Sequence, residues 1–173
     1  MATGFPVRVN GLLIHSSEAL YQACRFPDLP ELQRIIIGHS NPMAAKAATR
    51  PQIESTRADW QKSRVAVMRW ALQVKLACNW EKFGRLLTET GDLPIVEDSR
   101  RDAFWGAVPQ PDGTLVGMNV LGRLLMELRE RFNSPNQEAL RQVLPPSIPQ
   151  FDLIGEPIRL VEVTEQHQTQ LAL

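Results

Sequence analysis

The segment RADWQKSRVAVMRWALQVKLACNW, residues 57–80, is the longest helical pattern in the chain and constrains its fold more than any other stretch. Trp60, Val67, Met68, Ala71 and Leu72 recur at the spacing of one helix face. A helix of this length must bury that stripe against other elements. Lys75 follows Leu72 by three positions, Ala71 by four and Met68 by seven, which puts a cationic side chain on or beside the stripe. Such a lysine either runs its stem along apolar surface and keeps its ammonium in water, or is desolvated, with a lowered pKa, and able to attack a carbonyl-like carbon.

Shorter elements flank this helix. FPVRVNGLLIHSS (5–17) reads as two short strands around Asn10-Gly11, a common hairpin turn signal. A helix is predicted after Ser16 or Ser17, either of which can cap it. LPELQRIIIGHS (29–40) predicts a second helix, with Pro30 in its first turn and Gly38 near its end. Asn41-Pro42 starts a short third one in NPMAAKAATR (41–50). EKFGRLLTETGD (81–92) continues as a helix that stops near Gly91, and LPIVE (93–97) predicts a brief apolar strand. DSRRDAFWGAVPQPDGTLVG (98–117) is irregular, with turn residues throughout. MNVLGRLLMELRERF (118–132) is the last strong helix, with Met118, Leu121, Leu125, Leu128 and Phe132 on one stripe. After Asn133 proline becomes frequent and the long period is lost, apart from a strand expected at 158–163. Together these predict an α+β, mainly helical single domain with a few short strands, followed by a tail.

Composition narrows the function classes. The chain has 173 residues, of which 43% are hydrophobic and 22% charged, an ordinary globular balance. Lys plus Arg and Asp plus Glu each number 19, which argues against gripping nucleic acid through bulk charge alone. Cys24 and Cys78 both fall inside helical patterns and read as small buried apolar residues in a reducing compartment. MATGFPVRVN carries no signal-peptide pattern, and no apolar run approaches membrane-spanning length, so a cytoplasmic protein is expected. His15, His39 and His167 are scattered without partners at ligand spacing, so no metal site is predicted.

Three further stretches carry residues suited to chemistry. In SSEALYQACRF (16–26), Glu18 is either a first-turn carboxylate that favours the positive end of the helix dipole, or a proton-transfer group beside Leu20, Tyr21 and Cys24. VEDSRRDAFWG (96–106) puts Glu97, Asp98 and Asp102 in a short irregular stretch that ends in Trp105-Gly106. This is either a platform for a sugar or base, or a solvated acidic loop whose Trp closes the core. GTLVGMNVLG (113–122) leads through glycines and Asn119 into a helix start, either a plain turn or a cradle for phosphate.

These segments, taken in order, resemble the NADAR family, also called YbiA-like. The residues that carry the resemblance stand at 16–26, 42–46 (Pro and Ala-Lys), 57–60 (RADW), 68–75 (Met, Leu, Lys), 86–92 (LLTETGD), 96–97 (VE), 102–106 (DAFWG) and 117–129 (Gly-x-Asn-x-Leu-Gly, Leu-Met, Arg). The match covers roughly residues 5–132, giving a NADAR-like catalytic domain over 1–133 and a Pro-rich C-terminal tail over 134–173. Two departures stand out. Glu18 is followed by Ala19 where the family usually has His, and only MATG stands where members usually carry a Ser-Asn-rich segment, which predicts a shortened front without the ligand contact there.

The resemblance implies hydrolysis of N-glycosidic bonds without a metal or cofactor. Two substrate classes follow from it. One is ADP-ribose on the guanine amino group of DNA, where the protein is antitoxin to a DNA ADP-ribosyltransferase toxin encoded nearby and releases ADP-ribose. The other is phosphorylated ribosyl-aminopyrimidine intermediates of riboflavin synthesis. SSEALYQACRF, with Ala19 after Glu18, looks more like the antitoxin branch. A non-catalytic ADP-ribose-binding module and a helical interaction protein are the rival readings. Both substrates hold ribose C1 on an exocyclic amine, so a neutral lysine could exchange with that amine through a Schiff base. Lys75 is the expected nucleophile with Lys46 as second choice, Glu18 the proton shuttle, and Asp102 an orienting carboxylate. Trp105 and Trp60 are expected to stack, and Gly117 and Asn119 to bind phosphate. Tyr21, Gln22, Glu97, Gly106 and Gly122 complete the substrate-binding set that the family motifs imply.

Overall fold

A computed structural model describes residues 4–162; His167 and the rest of 163–173 lie outside the described residues. The fold is α+β and mainly helical, as expected. Within it the chain gathers in two compact units, one built from the residues up to Trp80 together with those from Glu138 on, the other from Glu81–Gln137.

The first unit opens with β1 (Val7–Val9) and β2 (Leu12–Ile14), antiparallel with Val7 opposite Ile14. Asn10 and Gly11 both take positive φ, 50° and 79°, which the tight primed hairpin turn requires. Then come α1 (Ser17–Ala23), α2 (Pro30–Gly38) and α3 (Pro42–Ala48). Ser16, not Ser17, caps α1, its hydroxyl accepting from the Ala19 N–H at 3.1 Å. Asn41 caps α3 by accepting from the Met43 N–H at 2.8 Å. A 3₁₀ turn (Arg50–Ser55) leads to α4 (Trp60–Cys78). The stripe read from the sequence is the buried face of α4: Trp60, Val67, Met68, Ala71 and Leu72 are all buried.

Residues 138–162 belong to this unit. They form β5 (Gln142–Val143) paired with β8 (Val161–Glu162), and the hairpin β6 (Asp152–Leu153) with β7 (Glu156–Pro157). Leu140, Val143, Phe151, Leu153, Ile158 and Val161 are buried, and Phe151 meets the Trp70 ring edge-on at 5.0 Å. Fully buried Gln33 ties the hairpin to the helices. Its Nε2 donates to the carbonyls of Ala23 and Asp152, at 3.1 and 3.0 Å, while its Oε1 accepts from the Ile154 N–H. Ile154 takes φ of 55°, a costly conformation for a β-branched residue, and that bond holds it there. The expected strand at 158–163 is shorter: within it only Val161–Glu162 pairs, and Val163 lies outside the described residues.

The chain passes into the second unit along α5 (Trp80–Glu89), which ends before Gly91. No strand forms at 93–97. Pro94 has no N–H, and the Ile95 carbonyl and Glu97 N–H bond to the Asn119 side chain instead of a neighbouring strand. Asp98 makes only an isolated bridge to Ala107. The stretch read as irregular contains a hairpin, β3 (Val108–Pro109) with β4 (Leu115–Val116). The last helix, α6, spans Val120–Phe132. Met118 precedes it and is 57% exposed, and Leu124 rather than Leu125 is fully buried beside Leu121 and Leu128.

Candidate active site

Glu18 and Gln22 lie one turn apart on α1, and with Arg25, two residues past its end, they join in a line. Gln22 Nε2 donates to Glu18 Oε1 at 2.7 Å, and Gln22 Oε1 accepts from an Arg25 guanidinium N–H at 2.9 Å. A second Arg25 nitrogen donates to the Thr56 hydroxyl at 3.1 Å. Arg25 also lies over the rings of Trp60, 5.6 Å from its centroid, and Phe26, at 5.3 Å. Burial pushes the Arg25 pKa down, opposed by electrostatic interactions with Tyr21 and Glu18. Tyr21 and Trp60 pack as a tilted ring pair at 5.0 Å. Glu18, Tyr21, Gln22 and Trp60 are thus brought together, with Arg25 as a member that reading residue types one by one missed. It sits in the turn that follows α1, where its backbone N–H donates to the Gln22 carbonyl at 3.3 Å.

Lys75 is 3% exposed. Burial pushes its pKa down to about 8. Its ammonium lies 4.4 Å from the Phe5 ring centroid. Asn79 arranges this: its Nδ2 donates to the carbonyls of Lys75 and Pro6, both at 2.9 Å, and so ties the last turn of α4 to the chain entering β1. The desolvated alternative for Lys75 is therefore the one the structure holds. Lys46, in the last turn of α3, is exposed.

The chain path sets how α1 runs past α4. Pro6 is tied to Asn79, Val7 pairs with Ile14, and α1 begins three residues later. Its far end meets the start of α4 through Tyr21 and Trp60. α1 packs against α4. Trp60 and Lys75 stand 15 positions apart on that helix, about 22 Å along its axis. Trp60 itself lies beside Tyr21 and Arg25.

The second unit holds the remaining candidates, and its own packing occupies most of them. Asp102 Oδ1 accepts from the backbone N–H groups of Phe104 and Trp105, at 3.1 and 2.9 Å, and shapes the turn that presents Trp105. Asn119, left-handed at φ 49°, accepts from the Glu97 N–H at 3.0 Å and donates to the Ile95 carbonyl at 2.8 Å. A Cβ at Gly106 would overlap the Glu97 carbonyl, one at Gly117 the Gly106 carbonyl, and one at Gly122 the Ile95 carbonyl and the Asn119 amide. These glycines permit close backbone approach, which supplies a reason for them besides any phosphate. Asp102, Glu97, Trp105, Gly106, Gly117, Asn119 and Gly122 thus belong to one folded cluster.

Neither cysteine is placed for nucleophilic work. Burial pushes the Cys24 thiol up to about 12 and raises that of Cys78 as well. Among the described residues no three His, Cys, Asp or Glu side chains gather as a metal site. No described helix is long and apolar enough to cross a membrane.

Comparison with known proteins decides the family. The family model for the NADAR domain matches residues 2–133. The chain belongs to the NADAR family. N-glycosidase YbiA of Escherichia coli strain K12 is 35% identical over 130 residues, covering 73% of this chain and 76% of the relative. A riboflavin biosynthesis protein of Vibrio vulnificus, VVA0006, is 37% identical over 124 residues, covering 72% of this chain. The aligned part is only 32% of that longer protein. The solved NMR structure of Escherichia coli YbiA matches with a TM-score of 0.61 at 35% identity, over 73% of this chain and 72% of the other. NADAR membership at this similarity places the chain among N-glycosyl hydrolases. The matched residues stop at 133, so the packed segment 138–162 lies beyond the NADAR domain.

Proposed function

We propose that this NADAR N-glycosidase removes ADP-ribose from the guanine amino group of DNA and so reverses a DNA ADP-ribosyltransferase toxin. The observation that carries the chemistry is the buried amine of Lys75, with its pKa near 8, on the helix that α1 packs against. At pH 7.5 roughly a quarter of such an amine is neutral, against about a thousandth of an ordinary lysine.

The route balances without a redox partner. The ring oxygen leaves C1 as the C1–N bond becomes an imine, and Glu18 gives the oxygen a proton. Lys75 Nζ adds to C1, the base amine departs with a proton, and a lysine Schiff base remains. Water activated by Glu18 adds to C1, the lysine leaves, and the net change is hydrolysis. Lys46 is the alternative nucleophile. In the second unit, taken by itself, Asp102 and Trp105 are the proposed orienting and stacking groups; the N–H groups of Met118, Asn119, Val120 and Leu121 already donate to the carbonyls of Ala103, Gly106, Phe104 and Trp105, so the phosphate role of Gly117 and Asn119 has no support there. The DNA substrate is favoured by Ala19 after Glu18; that position is fully buried and holds no second polar group beside the carboxylate.

A second substrate class has its own support. Relatives named for riboflavin biosynthesis occur in Vibrio vulnificus and, at 34% identity, in Zea mays. A phosphorylated ribosyl-aminopyrimidine offers the same C1–amine linkage. The test is hydrolysis of both substrates by the wild type, Glu18→Gln and Lys75→Ala. Release of ADP-ribose from the oligonucleotide alone supports the antitoxin reading, and turnover of the pyrimidine alone replaces it. Tight binding of either without turnover supports a binding module and ends the enzymatic reading.

A further inference from the structure

We propose that Gln22 and Arg25 are positioning residues that assign different work to the two oxygens of Glu18. The inference rests on Glu18 being the proton-transfer group, and it adds which oxygen transfers the proton and what holds the other. An arginine guanidinium has donors and no acceptor. The amide end of Gln22 that faces Arg25, at 2.9 Å, must therefore be its oxygen. The other end, facing Glu18 at 2.7 Å, must be its NH₂. Glu18 Oε1 thus accepts from an N–H, and a proton carried by Glu18 sits on Oε2.

The orientation is enforced from behind. Arg25 is fixed by the Thr56 hydroxyl at 3.1 Å and by the Trp60 and Phe26 rings. Its backbone carbonyl accepts from the Arg57 N–H at 2.9 Å. Gln22 is itself buried, so its amide does not swing into water. Arg25, anchored by donating one N–H to Thr56, donates another to Gln22, and Gln22 donates to Glu18, so the last two bonds of the series both point toward the carboxylate. With Oε1 tethered, the carboxylate cannot rotate freely, and Oε2 is held in one direction for both protonation of the ring oxygen and activation of water. Gln22, which the family motif suggested as a substrate contact, acts here through Glu18.

Steady-state kinetics on the N-ribosyl substrate that the wild type turns over test this. Gln22→Glu is isosteric and keeps an acceptor for Arg25, but presents no donor to Glu18. It is expected to lose roughly tenfold to a hundredfold in kcat, with KM within about threefold, because misplacing one catalytic group costs that much. Arg25→Met is expected to lose a similar factor, and Arg25→Lys, which restores a donor toward Gln22, to recover most of it. Thermal melts of each variant show whether it is folded; where Gln22→Glu is not, the Arg25 pair carries the test. A rise in KM at unchanged kcat for Gln22→Glu overturns the proposal, since that marks a substrate contact. Equal losses in Arg25→Lys and Arg25→Met overturn it too. Glu18→Gln at wild-type kcat ends the reading of Glu18 and the series with it. Glu18→Gln slowed at least a hundredfold beside Gln22→Glu at wild-type kcat ends only the series.

Discussion

The ammonium of Lys75 rests 4.4 Å from the ring centroid of Phe5, and the residue as a whole is 3% exposed. A ring face is a partial substitute for water around a cation. It does not restore full hydration, and the amine's pKa is lowered to about 8. The N-terminal segment thus takes part in tuning an amine on the longest helix, through Phe5 and the Pro6–Asn79 bond.

That lowered value has a consequence for rate. With Lys75 as the attacking amine, kcat/KM rises as the amine loses its proton and levels off above about pH 8. An attacking amine in water would carry the rise to about pH 10. A pH–rate profile between 6 and 10 reads the difference, and a rise that continues past 9 removes Lys75 from the role.

It has a second consequence for stability. Folding lowers the Lys75 pKa from 10.5 to about 8, so between those values the unfolded chain binds more protons and stability climbs with pH. Below pH 8 the cost of burying the cation is fully present, about 3 kcal/mol. Lys75→Met is therefore expected to be more stable than wild type at pH 7, by up to about 3 kcal/mol, and to lose that advantage near pH 10.5. Urea titrations at the two pH values check it; a variant less stable than wild type at pH 7 contradicts it.

In the second unit, Gly122→Ala drives a methyl group into the Ile95 carbonyl and the Asn119 amide. Overpacking of this kind costs about 1–3 kcal/mol. A lower urea midpoint at unchanged slope is the expected result. An unchanged midpoint would show that the Asn119 tie is not rigid.

Removing residues 134–173 uncovers Trp70 where Phe151 packs and leaves Gln33 without Asp152 and Ile154 as partners. A chain cut after Asn133 is expected to lose cooperative unfolding or to melt well below the full chain, by 10 °C or more on the order-of-magnitude scale of a few kcal/mol per lost cluster. Differential scanning calorimetry of the two chains decides it, and equal melting temperatures would show the segment to be dispensable.

The parts that could be read from the amino acids are those governed by local rules. The α4 stripe at Trp60, Val67, Met68, Ala71 and Leu72, the Asn10-Gly11 turn and the cap before α1 each depend on neighbours in the chain. The segment 138–162 could not be read so. Its buried residues sit in two-residue strands too short to show a period, and its anchors, Gln33 and Trp70, lie far away in sequence. The same holds at 93–97, where the Asn119 side chain takes the place of a partner strand. In the site, Glu18 and Lys75 were legible as residue types set on helices. Arg25 was not, because its meaning comes from which atoms of Gln22 and Thr56 it touches.

Borohydride trapping during turnover of an ADP-ribosylated guanine oligonucleotide tests the central claim most directly. Reduction of a lysine Schiff base fixes the sugar to the chain, and peptide mass mapping locates it. An adduct on Lys75, absent from Lys75→Met, is the predicted result. An adduct on Lys46, or full turnover with no adduct on any lysine, contradicts it.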